Sequence, residues 1–136
     1  MPEEENIQLL ARALDHFERT GKPDLSIIAD EVVFDLSRSP FPDAGVYHGI
    51  EGVRTWFQGL DDAFGKPHYE VERVEAQGEV VAAQLRVSGR GPGSGIPVDY
   101  SFVPVFTIRD GKVVRIDRYD TWSEALEAAG LASNPE

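Results

Sequence analysis

The chain contains no cysteine. Disulfides, thiolate metal sites and cysteine nucleophiles are excluded, and nothing points to an oxidising compartment. Basic residues are scarce: 13 Lys and Arg stand against 24 Asp and Glu, for a formal net charge of −11. Such a surface repels phosphate backbones and anionic lipid, so neither nucleic acid nor a membrane is expected as a partner. The same acidity keeps a protein in solution. Long apolar runs are missing too; none approaches the ~20 residues of a membrane span. The start, Met1-Pro2-Glu3-Glu4-Glu5, is acidic where a targeting peptide would be basic. No leader is expected, and the cytoplasm is the expected location. The three histidines, His16, His48 and His68, show no metal spacing. No metal and no cofactor are expected.

What remains is an ordinary globular composition, 41% hydrophobic and 10% aromatic over 136 residues. That length suits one domain, residues 1–136, with a core that needs no staples. Ile7, Leu10, Leu14 and Phe17 recur at helical spacing and predict a helix over 3–20. Gly21 and Pro23 stop it. Asp24 is expected to cap a short second helix that buries Leu25, Ile28 and Ala29. Residues 31–37 read as a strand and 50–64 as a third helix, with Val53, Trp56, Phe57, Leu60 and Phe64 on its apolar face. Pro40, Pro42 and Gly45 mark the loop between them.

After Pro67 the period changes from helical to alternating. Strands are expected over 68–76, 79–88, 96–109 and 112–120. Val81, Ala83, Leu85 and Val87 share one face of the second of these. Asp110-Gly111 is a strong hairpin signal. The glycine-rich segment 89–95 reads as a strand connection or lid, because it lacks the Gly-Lys-Ser/Thr ending of a phosphate loop. Thr121-Trp122-Ser123-Glu124 has the form of a capping box and opens a last helix that ends at Gly130.

The fold class is therefore α+β. A curved antiparallel or mixed sheet wraps around N-terminal helices as a cone-shaped α+β barrel, with a short C-terminal helix. The sheet must curl, because three apolar helix stripes have no other layer to cover them. A cone of this kind leaves an interior end suited to a small molecule.

Period-2 arithmetic assigns facing. Val114 and Ile116 are expected inward, with Arg115 and Asp117 in solvent. The inward parity then runs on to Arg118, Asp120 and Trp122, and charge at inward positions marks a functional site. Val103 and Val105 fall on the outer face, where an apolar stripe suggests a second subunit; scattered β propensity is the competing explanation. Asp35 shares a face with Val33, opposite Phe34, at a strand end where a carboxylate can project into a pocket mouth.

Several stretches carry a family resemblance. Residues 29–35 (Ala-Asp-Glu-Val-Val-Phe-Asp) and 45–53 (Gly-Val-Tyr-His-Gly-Ile-Glu-Gly-Val) are two of them. Residues 91–98, 106–115, Tyr119 and 124–131 are others. Together they resemble the SnoaL-like and ketosteroid-isomerase-like group of the nuclear transport factor 2-like superfamily. The resemblance covers nearly the whole chain and implies the cone fold. It leaves the chemistry open, because the superfamily holds isomerases, cyclases, hydrolases, dehydratases and non-catalytic binders.

By this resemblance Asp35 stands where ketosteroid isomerases carry their proton-shuttling carboxylate. Leu14 stands where they carry an oxyanion tyrosine, and Pro104 or a neighbour where they carry a protonated carboxylate. Two of three groups are missing, so a steroid isomerase of the known type is not expected. SnoaL-type cyclases place an acid/base Asp on the last strand with a His nearby, which implies Asp120. Limonene-epoxide hydrolases use an Asp-Arg-Asp cluster, which Asp35, Arg118 and Asp120 match in composition.

The candidate catalytic set is thus Asp35, Asp120, Arg118 and His48. Asp35 would move a proton, its pKa raised by an apolar pocket, and Arg118 would stabilise developing negative charge. The bland alternatives are a turn aspartate at Asp35 and an Arg118–Asp120 charge pair, with Asp120 also available as a helix cap. Trp56, Phe57, Tyr100, Phe102, Phe106 and Trp122 are the expected ligand-binding aromatics. Two functions follow. One is acid/base isomerase, cyclase or hydrolase chemistry on a small cyclic or carbonyl-bearing metabolite. The other is a non-catalytic module binding a hydrophobic ligand or a protein. The expected partners are a small hydrophobic molecule and a second copy docked on the outer sheet face.

Overall fold

The structure is a computed structural model; it describes residues 2–39, 44–64, 68–90 and 97–130. The prolines of the first loop, Pro40 and Pro42, and residues 91–96 of the glycine-rich segment lie outside the described residues.

Helix α1 (Pro2–Thr20) carries Glu3, Glu4 and Glu5 in its first turn, where negative charge suits the positive end of the helix dipole. The expected second helix shrinks to one 3-10 turn, Leu25–Ile27, which Asp24 caps. Ile28 and Ala29, assigned from sequence to that helix, instead open strand β1 (Ile28–Asp35). Pairing with the last strand, Ile28 against Val113, overrides the local helical signal there. A short strand β2 (Val46–His48) pairs antiparallel with β1. Helix α2 (Gly49–Phe64) follows directly.

Strands β3 (His68–Gln77), β4 (Val80–Arg90), β5 (Pro97–Arg109) and β6 (Lys112–Tyr119) form the expected meander. The sheet order is β2-β1-β6-β5-β4-β3, and β1 runs parallel to β6, so the sheet is mixed. The β5–β6 turn places Asp110 and Gly111 at φ 54° and 76°, as a tight hairpin turn demands. Helix α3 (Trp122–Ala129) starts at the expected box: Thr121 Oγ1 accepts the Glu124 N–H at 3.2 Å, and Gly130 ends the helix at φ 73°. Thr121, not Asp120, is the cap.

The inner sheet face and the helices α1 and α2 share one core, built around Val32, Phe34, Val53, Val81, Val87 and Ile108. Val81, Ala83, Leu85 and Val87 face this interior as period 2 requires. Of three register shifts in the described sheet, two change which side chains face inward. On β6 the pairing moves from Thr107↔Arg115 to Ile108↔Val113, so one extra residue sits against β5. Val113 is therefore turned into the core beside Ile116, and Val114, assigned inward by strict alternation, is not. On β3 a bulge between Val71 and Arg73 keeps both Val71 and Val74 on the inner face.

A second, smaller core lies on the outer face. There α3 lays Ala125 and Leu126 over Ala82, Val103 and Val105, with Trp122 and Tyr119 beside them. Val103 and Val105 are 1% and 5% exposed. The apolar outer stripe that suggested a second subunit is covered by this chain's own C-terminal helix. Among the described residues no helix is long and apolar enough to cross a membrane.

Candidate functional site

The interior of the cone holds a cavity of about 220 Å³. One wall is α1, through Ile7, Leu10, Ala11, Leu14 and Phe17, with Pro23, Asp24 and Ile27 at its foot. A second is α2, through Val53, Trp56 and Phe57. The sheet closes the rest, through Phe34, Tyr69, Val71, Val74, Ala83, Leu85, Phe102, Pro104, Phe106, Val113 and Ile116. The aromatic rings pack at tilted and edge-on angles: Trp56–Phe57 at 4.8 Å, Phe34–Trp56 at 4.9 Å and Phe17–Tyr69 at 5.3 Å between centroids. Edge-to-face packing of this kind fixes the rings and gives the cavity a defined shape.

Among the described lining residues the ionisable side chains are Asp24 and Tyr69. Asp24 is committed locally. Its Oδ1 accepts the Ser26 hydroxyl at 2.6 Å and the Ser26 N–H at 3.1 Å. The hydroxyl bond above all holds its pKa below the ordinary carboxylate value, against a desolvation that pulls upward. Asp24 is ionised at neutral pH and serves the turn.

The four groups assigned to chemistry do not gather in this cavity. Phe34 points inward, so Asp35, on the opposite side of β1, points outward. Its Oδ1 accepts the Ser37 N–H at 2.9 Å, and its Oδ2 lies 3.4 Å from Arg115 Nη2, which also binds Asp117 at 2.9 Å. Its pKa is lowered, chiefly by the Ser37 hydroxyl and then the Ser37 N–H, rather than raised as an apolar pocket would require. This is the geometry of the turn aspartate. His48 is exposed at the end of β2 and does not line the cavity.

Arg118 follows its parity. It faces inward and is 2% exposed, with its guanidinium 4.5 Å from the Phe102 ring centroid and 5.9 Å from that of Tyr100. Asp120 lies one residue past the strand end, where its half-exposed carboxylate stands 3.8 Å from Arg118 Nε. Arg118 and Asp120 are thus brought together behind Phe102, and neither Asp35 nor His48 joins them in the described contacts.

Of the six aromatics singled out from sequence, Trp56, Phe57, Phe102 and Phe106 line the cavity. Tyr100 sits beyond Phe102, its ring centroid 6.1 Å away. Trp122 is on the outer face, under the Arg73 guanidinium at 4.9 Å. Strand parity ends at Tyr119, so counting onward to Trp122 crossed into a helix. Sequence reasoning missed the α1 wall, Asp24, Tyr69 and the β3 valines as lining. The α1 stripe was visible as helical spacing, but spacing cannot tell a packed face from a cavity wall.

The model of the SnoaL-like domain matches residues 10–116. Among curated proteins none matches the chain. Solved structures give the same fold. A protein assigned as a SnoaL-like polyketide cyclase from Jannaschia sp. CCS1 is 25% identical, with TM-score 0.72, covering 97% of this chain and 95% of that one. Bal32a, from a soil-derived mobile gene cassette, is 16% identical, with TM-score 0.77, covering 94% and 98%. TerC, co-crystallised with polyporic acid, is 19% identical, with TM-score 0.72, covering 93% and 97%. With the family model spanning most of the chain and the cone fold in place, the chain belongs to the SnoaL-like domain family.

Proposed function

We propose that this chain binds a small, largely apolar, ring-bearing metabolite inside the cone. The observation that carries this reading is the cavity of about 220 Å³ whose described walls are apolar and aromatic apart from Asp24, which is bonded to Ser26. An apolar cavity of about 150 Å³ stays dry and admits benzene, so one of this size suits a molecule of about one or two rings. A four-ring ligand does not fit without movement of the walls. Affinity would come from burying apolar surface, at roughly 25 cal/mol per Å². TerC, of the same fold, is a protein co-crystallised with polyporic acid.

A second reading is that the bound molecule is also converted, by cyclase, isomerase or hydrolase chemistry. The inward, buried Arg118 with Asp120 beside it favours this, as does the likeness to an assigned polyketide cyclase. In that case the Phe102 ring, which stands between the cavity and Arg118, moves aside, so that Arg118 supports developing negative charge and Asp120 exchanges the proton.

A thermal-shift screen of uncharged one- and two-ring compounds tests the first reading. A ligand at about 100 times its Kd should raise stability by about 2.7 kcal/mol. A screen in which only four-ring or strongly charged compounds stabilise the protein would count against it. For the second reading, turnover of any hit should fall in Asp120→Asn while its binding persists.

A further inference from the structure

Helix α1 runs antiparallel to the edge strand β3 and is tied to it near both ends. At one end Glu18 Oε2 accepts the Tyr69 N–H at 3.0 Å, and Glu18 Oε1 lies 3.2 Å from His68 Nδ1. At the other, Glu3 Oε2 accepts the Gly78 N–H at 3.0 Å, and Asn6 Nδ2 donates to the Gly78 carbonyl at 3.5 Å. Between these ties the packing is open. Val71 and Val74 sit on the inner face of β3 and line the cavity, yet they are 47% and 40% exposed. Leu10 and Leu14 of α1, which line the same cavity, pack on the core but are only partly buried, whereas Phe17 by the Glu18 tie is buried.

Inner-face valines that are both cavity lining and half-exposed mark a slot into the cavity. From this we infer that the cavity is loaded sideways, between α1 and β3, that Glu18 and Glu3 latch this slot, and that the cargo is an uncharged ring compound. The inference rests on the ligand-binding reading above. The latches are carboxylates and the protein carries −11, so an anion is repelled at the slot. A cation reaching the interior meets one described carboxylate, Asp24, already committed to Ser26. Opening between the ties must break polar bonds at one helix end or the other, while Phe17, packed 5.3 Å from the Tyr69 ring, holds the Glu18 end as the hinge.

The test uses Trp122→Phe, which leaves Trp56 in the cavity wall as the remaining tryptophan. Stopped-flow quenching of Trp56 is followed with 2-naphthol and with 2-naphthoate at neutral pH. The naphthol should bind, and the carboxylate should bind more weakly by roughly tenfold or more. Glu18→Ala should raise the association rate by about fivefold, the effect of one lost hydrogen bond on an opening equilibrium. Glu18→Gln, which keeps an acceptor for the Tyr69 N–H, should return towards the parent rate. Val74→Phe should slow association and dissociation together. Naphthoate binding as tightly as naphthol overturns the cargo class. Rates unchanged in both Glu18→Ala and Val74→Phe overturn the slot while leaving ligand binding intact. No quenching by any compound in any variant overturns the binding reading itself and this inference with it.

Discussion

Neighbouring alanines on β4 point to opposite faces, and enlarging them should change stability in opposite directions. Ala83 is 7% exposed and lines the cavity; Ala82 is 0% exposed and lies beneath α3. Ala→Ile adds three carbons. At Ala83 they enter space that already exceeds what a six-carbon ring needs. Burying them is worth at most about 2.4 kcal/mol, from ~0.8 kcal/mol per carbon. Imperfect fit reduces this to about 1–2 kcal/mol of net stabilisation. Isoleucine also suits a strand better than alanine. For a chain of this length that gain raises Tm by about 3–6 °C. At Ala82 the same three carbons meet Val103, Val105 and α3 with no cavity to receive them, and overpacking costs about 1–3 kcal/mol. Urea unfolding followed by far-UV circular dichroism measures both, and an unchanged m-value licenses the comparison. If Ala83→Ile is as destabilising as Ala82→Ile, the interior is packed rather than hollow and the reasoning fails.

A similar pair lies on α2. A Cβ at Gly52 would stand 3.1 Å from Tyr47 Cβ and 3.2 Å from the Tyr47 carbonyl carbon, so Gly52→Ala should lose about 1 kcal/mol despite its better helix propensity. Gly59 has nothing within 4 Å of such an atom, so Gly59→Ala should gain about 0.5–1 kcal/mol in the same denaturation assay. Asp35 has a lowered folded-state pKa, so it stabilises the fold above the ordinary Asp value of about 3.9, and that contribution is lost as pH falls through the folded value. The stability difference between wild type and Asp35→Asn should therefore shrink in acid below about pH 4; a difference that grows there would contradict the turn role.

Much of the fold was legible because its signals are local. Helical spacing placed α1 and α2, alternation placed β3 to β6, and Asp110-Gly111 and Thr121 to Glu124 fixed a turn and a cap. The misses are tertiary. Val46–His48 pairs with β1 across a single loop, and three residues are too few to announce a strand. The β6 bulge shifts facing by one residue, and no composition reports it. The face on which α3 lands decides whether Val103 and Val105 need a second subunit, and only packing settles that.

The site divides the same way. Parity placed Arg118 inward correctly, and it also placed Asp35 opposite Phe34; the side that Phe34 faces then decided Asp35's environment. Charge at a strand end was a poor guide, because a carboxylate two residues before Ser37 finds its hydrogen bonds in the turn. The cavity walls were visible as apolar stripes, but hollowness is a property of how stripes meet.

The most direct test of the central claim is calorimetric titration of 2-naphthol into the wild type and into Leu14→Trp, whose new ring projects from the α1 wall into the cavity. Binding to the wild type that disappears in Leu14→Trp is the predicted result. Binding that survives Leu14→Trp unchanged would place the ligand elsewhere on the molecule and contradict the account.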